Sequence, residues 1–307
     1  MKPTVSRRPA AAWEVHASLF AAQTGFALFP TLGKIALTSL PPLPLAALRV
    51  ASAALLLEAV RRISGAENLT RGDHRKVLVY GLLGVSLNQV LFILGLSMTT
   101  AINTTILTAT IPIFTLGVAV VLKKEKLTVP AAAGVLLAGA GALILVNVEH
   151  FDWRSQYVRG DVLLLGNAIA YSLYLVFSRP ILAHYNVLTV VSRVFLYGAP
   201  AILLFTAPAL AHFTPSEVTA RSWACLAGIV LFCTVIPYAL NSWALAHTGA
   251  SRVALYVFLQ PLIATAMAIV VLGERPTVRT IVAGLLILSG LAVSVVRRRK
   301  IPAEEVA

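Results

Sequence analysis

The sequence predicts an all-α integral membrane protein, ten transmembrane helices in two inverted five-helix repeats, and three observations carry that prediction. Hydrophobic residues fill 58% of its 307 positions, charged residues 12%, and the mean hydropathy is +0.86, a balance foreign to a soluble domain. Apolar runs of about 20 residues, the helix length that crosses about 30 Å of hydrocarbon, recur along the chain. The chain also repeats itself at a fixed offset. Unbroken Leu, Ala and Val runs argue against a β-barrel, whose short strands alternate in polarity.

The first half supplies spans at 16–37, 44–60, 77–97, 100–122 and 128–148. The second supplies spans at 161–182, 187–209, 222–246, 250–272 and 278–296. Helix 1 follows Arg7 and Arg8, which imitates a signal peptide, but its apolar run is long enough to span and no small-residue cleavage site follows. It reads as a retained helix, with Lys34 near its far end. Helix 2 carries Arg49, together with Glu58 at i−3 and i−4 from Arg61 and Arg62. Helix 7 carries Arg193, which corresponds to Arg49 at a shift of 144. Each arginine lies about two turns from a helix end, so both are expected to snorkel to the membrane surface or to pair.

The duplication is read without a gap. A shift of 149 positions superposes Thr99 on Thr248, Pro112 on Pro261, Glu125 on Glu274, Thr128 on Thr277 and Gly141 on Gly290. The expected units are residues 1–150 and 151–307. Five spans per unit is an odd number, so the second unit enters the membrane from the opposite side. A duplicated, inverted membrane chain is the expected plan of a secondary transporter with a site between its halves. With the N-terminus inside, basic residues such as Arg61, Arg62, Lys123, Lys124 and Arg297 to Lys300 collect on the inner side, so both termini are expected to be cytoplasmic in a cell membrane. The net charge of +13 is spread over loops and not gathered on a soluble module. Lipid headgroups are therefore the expected partner of that charge, and nucleic acid is not.

Proline at 112 and 261 falls midway along helices 4 and 9, where it removes a backbone hydrogen bond and can kink or hinge the helix. Glu125 and Glu274 fall at helix ends, where a carboxylate caps N–H groups and complements the dipole of helix 5 or helix 10. Gly134, Gly139, Gly141, Gly284 and Gly290 suit close packing of helices 5 and 10, as scaffold or as a homodimer surface. Polar and aromatic residues at helical spacing mark the expected substrate cavity: Asn88 and Gln89 on helix 3, Asn103 on helix 4, Asn167, Tyr171 and Tyr174 on helix 6, Tyr238 and Asn241 on helix 8, Tyr256 and Gln260 on helix 9. Helices 1, 3, 4, 6, 8 and 9 are expected around it and helices 2, 5, 7 and 10 mostly outside.

The described cavity residues are uncharged, and the acids and histidines fall at helix ends or in loops, so a neutral cavity with no metal, cofactor or buried proton switch is expected. Cys225 and Cys233 give neither a disulfide frame nor a metal site. No catalytic constellation such as HExxH, paired acids or a Ser-His arrangement appears, so an enzyme is not expected. A membrane-embedded scaffold or receptor is the alternative to a carrier.

The stretch Ala250-Ser251-Arg252, Pro261, Gly273-Glu274-Arg275, Gly284 and Gly290 resembles the C-terminal repeat of EamA-type carriers in the drug/metabolite transporter superfamily. Pro112-Ile113-Phe114, Lys124-Glu125-Lys126-Leu127, Gly134 and Gly141 look like a weaker copy in the first half. The resemblance implies a ten-helix carrier with a central cavity, moving small metabolites such as amino acids and related compounds, with export as the physiological direction.

Overall fold

The computed structural model describes residues 11–122, 128–146, 155–248, 253, 256, 257 and 259–296. The fold is all-helical among these residues. In chain order the helices are α1 (Ala12–Ala36), α2 (Pro42–Ile63), α3 (His74–Met98), α4 (Ala101–Val121), α5 (Val129–Val146), α6 (Gln156–His184), α7 (Val187–Ala211), α8 (Ala220–His247), α9 (Leu259–Leu272) and α10 (Val278–Val296). Six of them, α2, α3, α4, α6, α7 and α8, are long and apolar enough to cross a membrane, and α9 and α10 add shorter apolar stretches. Side chains such as Leu55, Leu204 and Val270 are largely exposed, as lipid contact permits.

Local sequence explains the helix ends. The Thr100 hydroxyl accepts from Asn103 N at the start of α4, Asn186 from Leu188 N at α7, and Thr219 from Ser222 N at α8. Each satisfies a backbone donor that the first turn leaves without a partner. Inside the bundle, α3 and α8 each contain a π-helical turn, Leu82–Leu87 and Leu231–Val235, and the two begin 149 residues apart. A π turn misaligns the backbone ladder, and the Thr234 hydroxyl takes up the Ile229 carbonyl five residues back.

The packing is reciprocal. α1 packs chiefly against α8 and α9, and α6 chiefly against α3 and α4; α2 lies on α7, and α5 on α10. Glycine sets two of these contacts. A Cβ on Gly25 of α1 would meet the Phe232 carbonyl of the α8 π turn at 2.4 Å, and Gly95 of α3 faces Gly160 of α6 with similar closeness. Without a hydrophobic drive between helices in lipid, such backbone approach supplies packing energy. Gly141 of α5 lies against Ala283 and Ile287 of α10, so this glycine serves contact within the chain.

Proline acts more sharply than the expected mid-helix kink. α4 is interrupted by a turn at Ala109 and Thr110, and Pro112 sits in the first turn of its second segment, Ile111–Val121. There the missing N–H costs nothing, because first-turn donors lack intrahelical partners anyway. Pro261 likewise falls in the first turn of α9.

Candidate substrate cavity

Seven helical segments meet around a partly open chamber whose wall sets amides and hydroxyls among aromatic and aliphatic side chains. Seven of the sequence-expected residues line it: Asn88, Gln89, Asn167, Tyr171, Tyr238, Asn241 and Gln260. Gln23, Phe26 and Phe29 of α1, Phe92 of α3, Thr108 of α4 and Arg49 of α2 complete much of the wall. The helices are therefore those expected, with α2 added.

Hydrogen bonds link the wall in two chains. In one, Gln260 Nε2 donates to Gln23 Oε1, Gln23 Nε2 donates to Asn241 Oδ1 at 3.1 Å, and Asn241 Nδ2 donates to the Tyr171 hydroxyl at 3.4 Å. In the other, Arg49 Nη1 donates to Gln89 Oε1, while Gln89 Nε2 donates to the Tyr238 hydroxyl at 3.0 Å and to Asn88 Oδ1 at 3.1 Å. Asn167 Nδ2 fixes α6 to α3 through the Asn88 carbonyl at 2.9 Å. Buried amides satisfied this way rigidify the site, because each unpaired polar atom in hydrocarbon is costly. Gln89 and Tyr238 are separated by 149 residues, so two positions that correspond in the sequence shift touch each other. Aromatic rings close around them: Phe26 and Phe195 both stand edge-on to Tyr238, and Phe29 stacks on Phe92 at 4.7 Å.

Arg49 corrects the sequence reading. It does not reach the membrane surface; it is 1% exposed, turned inward, with Nε donating to Thr234 Oγ1 at 2.7 Å and Cζ 3.7 Å from the centre of the Phe29 ring. The chamber is therefore cationic and not neutral. α2 packs with its arginine face toward the π turn of α8, and the inward partners lie 40 and 185 residues away, so helix-end distance alone gave the wrong direction. Gln23 also escaped the sequence reading, although a glutamine in a span was a usable signal.

Three expected residues lie elsewhere. The Tyr174 ring packs against Gly84, one turn beyond Tyr171, and does not line the chamber. The Tyr256 hydroxyl reaches His16 Nδ1 near the start of α1. Asn103 belongs to a second and larger cavity of about 830 Å³ at the opposite end of the bundle, lined by Thr100, Asp161, Glu274, Arg279 and Thr280 among others. It stands in the first turn of α4, two and a half turns before Pro112, which is too shallow for the chamber. Glu125 and Arg252 lie outside the described residues.

Glu274 caps a helix, though not the expected one. Its two carboxylate oxygens accept from Ala101 N at 2.9 Å and Ile102 N at 3.0 Å, at the N-terminus of α4. Thr277 caps α10, accepting from Thr280 N at 3.1 Å. Gly273, at φ 67°, turns the chain so that Glu274 reaches across to the other half. At this end Asp161 of α6 is 3% exposed, and its Oδ1 has no hydrogen-bond partner among the described residues.

The central chamber has an open volume of about 70 Å³. That is well below the ~300 Å³ at which small-molecule pockets begin. The conformation is contracted around the site. Glu58, by contrast, is fully occupied at the far end of α2, where Arg61 forks onto it at 2.8 and 2.9 Å and Arg62 Nε bonds at 2.8 Å.

A multi-pass helical bundle with a small chamber at its centre is the architecture of a membrane protein and not of a soluble binder. The chain matches the EamA-like transporter family twice, over residues 15–147 and 158–296, and it belongs to that family. It is 29% identical over 275 residues to an uncharacterized transporter of Archaeoglobus fulgidus, covering 87% of this chain and 92% of that one. It is 22% identical over 287 residues to the Bacillus subtilis uncharacterized transporter YyaM, covering 90% and 93%. A solved crystal structure shares its fold with a TM-score of 0.68 at 18% identity, covering 95% of this chain and all of the other.

Proposed function

We propose that this transporter is a secondary carrier of small metabolites, amino acids or related compounds, working by alternating access in the cell membrane and exporting from the cytoplasm. The reading includes ten spans in two inverted repeats, residues 1–150 and 151–307, with both termini cytoplasmic. One observation carries it: the polar chamber is built where corresponding residues of the two halves, Gln89 and Tyr238, meet. The paired π turns and the reciprocal packing of α1 with α8 and α9, and of α6 with α3 and α4, support the same two-fold plan.

In this mechanism the contracted chamber is one station of the cycle, and widening it admits substrate. The Glu274 cap joins the turn between α9 and α10 to the start of α4 and holds the end away from the cytoplasm closed. The interruption before Pro112 lets the second segment of α4, Ile111–Val121, tilt without breaking regular helix. No acid lines the chamber among its residues, so we propose movement down the substrate gradient. A homodimer through the lipid-facing surfaces is compatible with this plan.

Proteoliposomes loaded with amino acids, nucleobases and sugars, with and without a proton gradient, test the reading. Saturable flux of an amino acid without a proton gradient is expected, and Gln260→Ala should cut it while leaving membrane insertion intact. Strict proton dependence would move attention to Asp161. No flux of any compound would favour a scaffold or receptor.

A further inference from the structure

Among the described residues, Arg49 is the charged side chain that lines the central chamber, and no Asp or Glu pairs with it. Glu58 is held by Arg61 and Arg62, Asp73 by Tyr185 and Lys76, Glu67 by Asn186 N and Glu274 by the start of α4, while Asp161 lines the second cavity and not this chamber. A guanidinium has five N–H donors. Three meet protein acceptors, namely Thr234 Oγ1, Gln89 Oε1 and, at a long 3.5 Å, the Cys233 carbonyl. All three acceptors are neutral. A buried cation without a countercharge is costly in a membrane interior, and such groups mark substrate or ion paths.

We propose that Arg49 is the anion-recognition group of the carrier and that the transported compound bears a single carboxylate, which docks on the Arg49 fork. This rests on the carrier reading above. Charge matching selects the class. One guanidinium among amides, hydroxyls and rings neutralises one negative charge, whereas a phosphate dianion or a dicarboxylate would leave net negative charge buried in the chamber. The planar fork suits a planar carboxylate, and the Phe29 face holds the guanidinium plane in place. Gln89 Oε1 is the stand-in acceptor that the carboxylate displaces. Phe92, Tyr171 and Tyr238 then face the rest of the compound, and the oxygens of Asn88 and Asn241 suit an amine where one is present.

The test is binding to the purified full-length protein in detergent, by thermal shift and calorimetric titration. The probes are matched pairs: each common amino acid against its carboxamide, and simple monocarboxylates such as phenylacetate against their amides. At least one acid is expected to bind about tenfold or more tightly than its amide, the scale of a charge-assisted contact. Gln89→Glu places an internal carboxylate on Arg49 with little change in shape, and it should bring that ratio to about one, as should Arg49→Gln. Should Arg49→Gln fail to fold, the wild-type ratio and Gln89→Glu still decide. The proposal is overturned if no acid outcompetes its amide, if the preference survives in Gln89→Glu, or if chloride or inorganic phosphate binds more tightly than every acid. Carboxylate binding without flux defeats the carrier reading alone; flux with no acid preference defeats this one alone.

Discussion

Arg49 and Arg193 occupy corresponding places in the two halves, 144 residues apart, and they do opposite things. Arg49 of α2 lies in the central chamber with neutral partners only. Arg193 of α7 stands beside the far end of α2, donating to Asn68 Oδ1 at 3.1 Å and lying 3.7 Å from Glu58 Oε1. The difference comes from neighbours and not from the arginines themselves. Glu58 sits where α7 can reach it, while the α8 π turn offers Arg49 a hydroxyl and a carbonyl and no acid. A duplicated residue has thus become part of a rim ion-pair cluster in one half and a chamber cation in the other. Two arginines that correspond in the sequence shift differ in chemistry because they meet different partners.

The sharpest way to break this comparison is at Glu58. Glu58→Gln should destabilise the protein by about 2 kcal/mol, since it strips charge-assisted hydrogen bonds from Arg61, buried beside it, and from the solvent-screened Arg62. A thermal melt in detergent reads this, and ligand preference should not change. A shift in acid-over-amide preference would mean that the rim cluster and the chamber are coupled.

Next in size, Glu274→Gln should cost about 1 kcal/mol by weakening the cap on α4. The variant should also favour opening at that end, so that a cysteine placed at Ile102 becomes more reactive to a membrane-impermeant thiol reagent. Unchanged labelling would remove Glu274 from the closing machinery.

A smaller effect is expected at Arg193. Its contact with Glu58 is long, and Arg193→Gln should lower stability by about 1 kcal/mol or less, with flux retained. A loss of flux like that expected at Arg49 would erase the distinction between the two arginines.

The smallest effect concerns pH. The Tyr185 hydroxyl, with Lys76 and Thr70, holds the Asp73 carboxyl at about 2, below its usual 3.8. A depressed carboxylate stabilises the fold above its unfolded value, so this contribution is complete at neutral pH and is lost as pH falls from 3.8 toward about 2. Tyr185→Phe should narrow that window, which melts recorded across the acid range would show. Identical acid profiles for the variant and the parent would rule the contact out as a stabiliser.

Much of this molecule is legible in its sequence. Hydropathy and length located most of the described helices within a few residues, because a hydrocarbon layer imposes one length and one polarity on whatever crosses it. The polar faces of α3, α6 and α8 were legible for the same reason: Asn88, Gln89, Asn167, Tyr171, Tyr238 and Asn241 must find partners inside the protein, and they share one chamber. Residues near helix ends were not legible. Asn103, Tyr256 and Glu274 lie where water, headgroups and neighbouring helices all offer partners, and spacing along one helix does not choose among them.

The sequence by itself determined the all-helical membrane class and the positions of most described helices, since these follow from the length and polarity of nearby residues. Only the tertiary structure decided that Arg49 turns inward, that Gln89 and Tyr238 touch, and that Glu274 caps α4 instead of α10. Each of those contacts joins residues from 40 to 173 positions apart. Such partners are selected by which helix faces pack together, and the uniform apolar surfaces of a membrane chain carry little record of that choice in their sequence.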